Sequence, residues 1–588
     1  MGAERRLGGA SGFGGGHVGD RRRDRLARFP EGPGSSGGRL CVHVSGESPL
    51  SAFSDQRSGG VYPGGSAVRG CGTFVNSSGK GRVSMRILRG AVCLCTVVAW
   101  AAFAGAASAE VVLRVAQMSD ISTLDPHKAA DAYSANVMRQ VYNALVQPDP
   151  NMEFKGDLAE SWENPDDLTW LFHLRKGVLF HNGEEFTADD VKFTLERMLD
   201  PKTASPGVTH IREVDKVEVV DRYTVRIVTK APYAPLISNL GRYEMCMLNE
   251  KAVREAGEDY GRHPVGTGPF MLDVWRPGDR VELKKFDKYF EGMPKVDRMV
   301  FRGIPEEATR VIELESGGVD ICIDLPAQDY ARIKAEGRFK VYEKPSITSN
   351  YYAFNAQATP FQDKRVRQAL NYAVDVDALI DAIYFGMAVK SRGPMTEQIW
   401  GFDETLPEDP YPYDVEKAKA LLVEAGYPNG FKTKLYSSTQ SQSRATAEQF
   451  QAFFAEVGIE AEVVSLEWGA YLAETRKGVD GMFTLGWSGT GDADGALSYL
   501  YDSKNIGSSN RAHWADSKFD ELMAEGRRTL DPEKRKAIYR EAQRYFNEEV
   551  PIVLMHSRKL LCGSSPKVNG FEIYPNQVYR LFNVSMEP

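Results

Sequence analysis

Beyond residue 109 the chain has only three of its seven cysteines, Cys246, Cys322 and Cys562. An odd number set far apart excludes a disulfide framework and leaves room for one bridge at most, so buried or free thiols are expected. Cations are also scarce. Of 72 Lys and Arg and 80 Asp and Glu, 14 and 6 fall within residues 1–109, which leaves 58 against 74 and a net charge of −16. So acidic a chain argues against nucleic acid or an anionic membrane surface as partner.

Catalytic and metal-binding signatures are missing as well. No G-x-S-x-G, H-E-x-x-H or C-x-x-C occurs after residue 109, and the histidines there (His127, His173, His181, His210, His263, His513 and His556) are scattered. "VGTGPF" (265–270) has neither the third glycine of a dinucleotide loop nor a P-loop Lys, and reads as a turn feeding a strand. "TGDADG" suggests a calcium loop, but position 1 would be Thr490 and position 12 Tyr501, so its first carboxylate and its bidentate Glu are absent. No catalytic residue, metal or cofactor is expected.

What is present begins with an unusual N-terminus. Residues 1–84 are rich in Gly, Ser and Arg and lack periodicity, which reads as a disordered or mis-assigned extension. Residues 85–109 follow with Arg86 and Arg89, an apolar stretch, and "ASA" at 107–109, the three regions of a secretory signal peptide. Cleavage near Ala109 would leave 479 residues in a periplasmic compartment, enough for two or three domains.

Along that remainder helical and strand patterns alternate. "FTADDVKFTLERML" has Thr187 as N-cap, Asp190 three residues on, and Val191, Leu195 and Met198 along one face. "DKRVRQALNYAVDVDALIDAIYFG" keeps apolar residues at four-residue spacing from Val366 to Ala378 and predicts one helix ending at Gly386, and "YDVEKAKALLVEAG" predicts another, from Asp414 to Gly426. From residue 431, "FKTKLYSS", "SRATAEQFQAFFAEVG" and "IEAEVVSL" predict a right-handed β-α-β unit, followed by a helix and the strand "MFTL". In open α/β sheets ligands sit beyond the carboxyl ends of strands. The stretch at that end, "GWSGTGDADGAL" (486–497), has more than a turn needs: Trp487, Ser488, Thr490, Asp492 and Asp494 are candidate ligand contacts.

"LAESWENPDDLTWLFHLRKGVLFHNGEEFTADDVKFTLERML" (158–199) resembles the signature block of family 5 extracytoplasmic solute-binding proteins, the peptide-type receptors of ABC importers. The likeness continues in order through "RHPVGTGPF", "PFQDKRVRQALNYAV", "PYDVEKAKALLVEAGYPNGF" and "DPEKRKAIYREAQRYFNEEVPIVLMHS". It implies an α/β, type II periplasmic binding fold of two hinged lobes with an extra inserted domain. Mapped here, lobe I takes 110–146, 264–356 and 555–588, the extra domain 147–263, and lobe II 357–554. It also implies a monomeric, non-enzymatic receptor that closes on a ligand and presents it to a membrane permease.

The resemblance narrows the ligand. Dipeptide and oligopeptide receptors of this type carry an Asp three residues after the Trp, where this chain has Thr490, and dipeptide receptors carry an Arg where it has Ser438. Without those two ionic clamps a short zwitterionic dipeptide is disfavoured. "GWSGTGDADGALSYLYDSKN" and "LYSSTQSQS" look most like the glutathione-binding members. On that reading Asp492 or Asp494 takes the ligand's ammonium, Arg444 or Arg392 meets a carboxylate, and Tyr351 walls the pocket. Asp494→Ala is then expected to weaken binding by at least tenfold, about 1.4 kcal/mol, without lowering the unliganded protein's melting temperature. Alternatives are a dipeptide or oligopeptide receptor, or a metal-chelate or haem receptor using Met555 and His556.

Overall fold

The computed structural model describes residues 110–587, so the readings of 1–84 and 85–109 lie outside the described residues. Twelve strands join in one mixed sheet. At its middle is the 13-residue strand Ile552–Ser564, unbroken because its residues are buried almost throughout and rich in β-branched and aliphatic side chains. Its first half pairs antiparallel with Thr348–Phe354, and its second half pairs with Lys340–Pro345 and Ile321–Ile323.

Two segments, 340–354 and 552–564, therefore cross between two separate hydrophobic cores. One core gathers residues from 113–142, 246–301 and 562–584. The other runs from Ile347 to Met555 and adds Met152. At the crossing, the Ser346 N–H donates to the Arg558 carbonyl at 3.1 Å and the Ser557 hydroxyl donates to the Ser346 carbonyl at 2.8 Å. A third core, within residues 145–247, lies under a four-stranded antiparallel sheet made of Ala159–Asp166, Thr169–Leu174, Thr224–Thr229 and Val214–Asp221. Two lobes joined by a pair of strands, with a further inserted unit, is the type II periplasmic binding fold.

The β-α-β unit forms as expected. Lys432–Ser438 and Glu460–Leu466 are parallel, with Leu435 opposite Val463, and helix Ser441–Glu456 connects them. Met482–Ser488 then pairs parallel beside the first strand, with Met482 opposite Leu435. Helix Ala188–Leu199 starts at Thr187, whose N–H donates to the Asp190 carboxylate at 2.9 Å. The expected single helix to Gly386 is instead two, Lys364–Tyr372 and Val376–Tyr384. Asp375 breaks it: its carboxylate accepts the Ala378 N–H at 2.9 Å, which caps a new helix, while the apolar spacing persists because both helices pack on one core.

Cys246, Cys322 and Cys562 are free and buried. Cys562 lies opposite Ile323, not Cys322, so the two thiols on neighbouring strands point to opposite faces of the sheet. Among the described residues no helix is long and apolar enough to cross a membrane.

Candidate functional site

A cavity of about 380 Å³ opens where the three cores meet. Its walls come from helix Ala132–Val141 (Arg139), the turn at Met152 and Phe154, the segment from Ser238 to Tyr243, the end of strand Met482–Ser488 (Trp487 and Ser488, with Gly489 and Thr490 beyond), and the C-terminal loop at Asn576–Val578. Its size falls within the range of small-molecule sites.

The walls hold two arginines and no carboxylate. Arg242 is partnered: its Nη2 and Nε meet the two oxygens of Glu244 at 2.7 and 3.1 Å. Burial opposes the Arg242 charge, but Glu244 beside it outweighs that and holds the guanidinium above its ordinary pKa. Arg139 has no ion-pair partner among the described residues; its Nη2 donates to the Gly241 carbonyl. The cavity therefore has an excess of positive charge on a partly desolvated wall, which favours an anionic ligand.

Trp487, Ser488 and Thr490 stand together on this wall. The Trp487 ring is fixed on two sides, stacked on Tyr499 (centroids 4.2 Å apart, 7° between planes) and donating from Nε1 to the Gly495 carbonyl at 3.0 Å. The Ser488 and Thr348 hydroxyls share a hydrogen bond at 2.5 Å across the strand pair. Beyond Thr490 the chain turns at Gly491, whose φ of +83° suits glycine, and a Cβ there would meet the Met152 methyl at 2.7 Å.

Asp492 and Asp494 lie behind the wall, in a buried ion-pair network. Arg535 meets both oxygens of Asp492 at 2.7 Å and lies over the Trp400 ring at 4.8 Å, while Asp492 also caps helix Ala493–Tyr501 by accepting the Asp494 N–H at 2.9 Å. Asp494 accepts from the Ser498 hydroxyl at 2.5 Å, from Arg527 Nε at 3.2 Å and from the Tyr539 hydroxyl at 3.4 Å. Burial opposes the charges of Arg535 and Arg527, yet the adjacent carboxylates keep both guanidiniums above their ordinary range. Arg527 also ties this network to the inserted unit, because its carbonyl accepts the Ala234 N–H at 3.0 Å.

The other sequence candidates are dispersed. Arg444 is exposed and pairs with Glu448 at 2.9 Å, one turn along its own helix. Arg392 lines a separate cavity of about 40 Å³, where it meets Glu397 at 3.1 Å and the Glu404 carbonyl at 2.9 Å. Tyr351 is buried on strand Thr348–Phe354. Met555 and His556 are buried in the crossing strand, off the cavity wall; His556 packs on the Tyr384 ring at 4.2 Å, and burial lowers its pKa to about 3. Arg139 and Arg242 escaped the sequence reading because an arginine on a helix or in a loop looks solvated until the chain folds over it. The one available signal was Arg139 in "SANVMRQVYNALV", a stretch with no acidic residue to pair with it.

The model of the bacterial extracellular solute-binding proteins, family 5, matches residues 153–508, more than half of the sequence. This chain belongs to that family. Among curated relatives, it is 35% identical to the glutathione-binding protein GsiB of Escherichia coli O157:H7 over 491 residues, covering 82% of this chain and 95% of the relative. It is also 35% identical to GsiB of Salmonella typhi over 488 residues, 81% of this chain and 94% of that one. Among solved family structures, HbpA2 from Haemophilus parasuis superposes with a TM-score of 0.75 at 29% identity, covering 81% of this chain and all of that one. The periplasmic binding protein DppA from Helicobacter pylori, in complex with the peptide STSA, gives 0.70 at 30% identity, over 81% and 98%.

Proposed function

We propose that this family 5 receptor captures glutathione or a closely related short acidic peptide in the periplasm and delivers it, as a monomer and without chemistry, to the permease of an ABC importer. The observation that carries this reading is the cavity wall of two arginines and no acid, with Arg139 left without a carboxylate. Glutathione carries a net negative charge at neutral pH, so burying it there brings a carboxylate to a guanidinium already held in place. A zwitterionic dipeptide brings one carboxylate with its ammonium and so no net negative charge to balance the excess of guanidinium.

Trp487 offers a fixed aromatic face for the ligand's apolar part, and Ser488, Thr490 and the Asn576 and Gln577 side chains supply neutral acceptors for its ammonium. Asp492 and Asp494 act one step back, holding the turn that presents Trp487 to Thr490 at its place on the wall. The paired strands 340–354 and 552–564 serve as the hinge, and the Ala234 to Arg527 contact joins the inserted unit to the network behind the wall. The 35% identity to glutathione-binding relatives, over nearly their whole length, supports the same ligand class.

The test is a thermal-shift panel on purified protein freed of carried-over ligand, with reduced glutathione, the dipeptide Met-Leu, haem and a nickel–histidine complex. Glutathione at a hundred times its Kd should add about 2.7 kcal/mol of stability and raise Tm, with no shift from the others. A shift from Met-Leu alone would return the dipeptide reading, and one from haem or the nickel complex alone would favour the chelate reading.

A further inference from the structure

Arg511 is a second cation in this region without an acidic partner. It is half-buried, its Nη1 donates to the Leu472 carbonyl at 3.1 Å and to the Thr475 hydroxyl at 2.7 Å, and its Nε and Nη2 have no partner among the described residues. Its titratable neighbours include the hydroxyls of Tyr351, Tyr471 and Tyr499, with Arg476 as a further cation, and it forms no ion pair among the described residues. Burial lowers its pKa, and the tyrosine hydroxyls beside it offset that only in part.

Strand register links this arginine to the cavity. Ser349 lies opposite Trp487 and Tyr351 opposite Leu485, so Tyr351 and Trp487 project from the same face of the sheet. Tyr499 stacks on Trp487, is 38% exposed, and lies close enough to both Arg242 and Arg511 to influence the charge of each. The Tyr471 hydroxyl is committed to the Thr484 backbone, whereas the Tyr351 hydroxyl makes no hydrogen bond within the described residues. A guanidinium with free donors, a free phenol and an exposed aromatic edge thus lie near Trp487, beside the cavity and not among the residues that line it.

We propose that Arg511, Tyr351 and Tyr499 form a second carboxylate subsite, so that the ligand is a peptide with two separated carboxylates, one on Arg139 and the other on Arg511, its body lying across Trp487. This inference rests on the reading of the cavity as a receptor for a glutathione-like peptide. The planar fork of Arg511 matches a carboxylate in two parallel hydrogen bonds, a geometry that a lysine does not reproduce.

Calorimetry on the wild-type protein, Arg511→Gln and Arg511→Lys, with glutathione and its two mono-amides (one at each carboxylate), tests it. Arg511→Gln should bind glutathione at least tenfold more weakly than wild type does, Arg511→Lys should recover part of that loss, and unliganded Tm should stay within a degree or two. One mono-amide should bind wild type and Arg511→Gln within threefold of each other, because the group Arg511 reads is already gone. Equal weakening of all three ligands by Arg511→Gln, or no weakening of glutathione, would overturn the subsite while leaving the glutathione reading intact. Failure of wild type to bind glutathione would remove that reading and the subsite with it.

Discussion

Asp492 and Asp494, behind one wall of the cavity, and Arg139, on another wall, are all charged groups withdrawn from bulk water, but their surroundings differ. Each of the two carboxylates is met by a guanidinium and by further hydrogen bonds, Arg535 on Asp492 and Arg527 on Asp494. Arg139 has a backbone carbonyl and no ion pair among the described residues; the Asp157 carboxylate, within reach of its charge, is bonded instead to Asn143 and the Ala144 N–H. A buried charge that is fully partnered has little left to offer a ligand, whereas one that lacks its partner gains most when a ligand supplies it. The two carboxylates are committed to the fold, whereas Arg139 is left with donors that the fold does not pair with an acid.

The largest effect that tests this contrast is on stability. Arg535→Met should cost about 3–5 kcal/mol in urea unfolding, because it leaves the Asp492 carboxylate buried and unpaired. A loss below about 1 kcal/mol would show that Asp492 is not structurally committed and is open to a ligand. Asp494→Ala should lower stability by roughly 1–3 kcal/mol by stranding Arg527, Ser498 and Tyr539. That differs from the expectation drawn from sequence, in which the melting temperature holds and affinity falls; if that pattern is observed, Asp494 belongs to the ligand after all.

Arg139→Gln should do the reverse. Glutathione affinity should fall tenfold or more, about 1.4 kcal/mol, while the unliganded Tm stays within a degree or two. Unchanged affinity would take Arg139 out of the site.

The smallest effect concerns pH. Burial lowers the pKa of His127 and His556 to about 3 and of His181 and His210 to about 4, against an ordinary 6.5. Below 6.5 the unfolded chain therefore binds protons that the folded one does not. The stability these histidines contribute is fully present above pH 6.5 and is lost as pH falls through 6.5 toward 3–4. Replacing one of the four, as in His556→Phe, should flatten the slope of stability against pH between 6 and 5 by at most about 1.4 kcal/mol per pH unit. An unaltered slope would mean that His556 does not change its proton uptake on unfolding.

Much of this architecture was legible in the sequence, because strand and helix periods are local. The β-α-β unit at 432–466 and the capped helix at 188–199 follow from alternation, four-residue spacing and cap residues within a few positions of each other. The place of Trp487, Ser488 and Thr490 on the cavity wall was legible for the same reason, since they stand at and just past the carboxyl end of a strand. The split at Asp375 was harder to see because both helices bury the same spacing of apolar residues.

What could not be read was pairing at a distance. Whether Asp492 is free or bound depends on Arg535, 43 residues away, and whether Asp494 is free or bound depends on Arg527, 33 residues away. Local patterns carry no such information. For an aspartate or an arginine, that is what separates a scaffold residue from a ligand contact.

The most direct measurement is calorimetry of the ligand-free protein with glutathione and with glutathione amidated at both carboxylates, at fixed pH and ionic strength. If an excess of guanidinium on the cavity wall selects the ligand, glutathione should bind at micromolar Kd or tighter and the diamide at least a hundredfold more weakly. Equal affinity for the two would contradict it, because the wall would then be reading something other than charge.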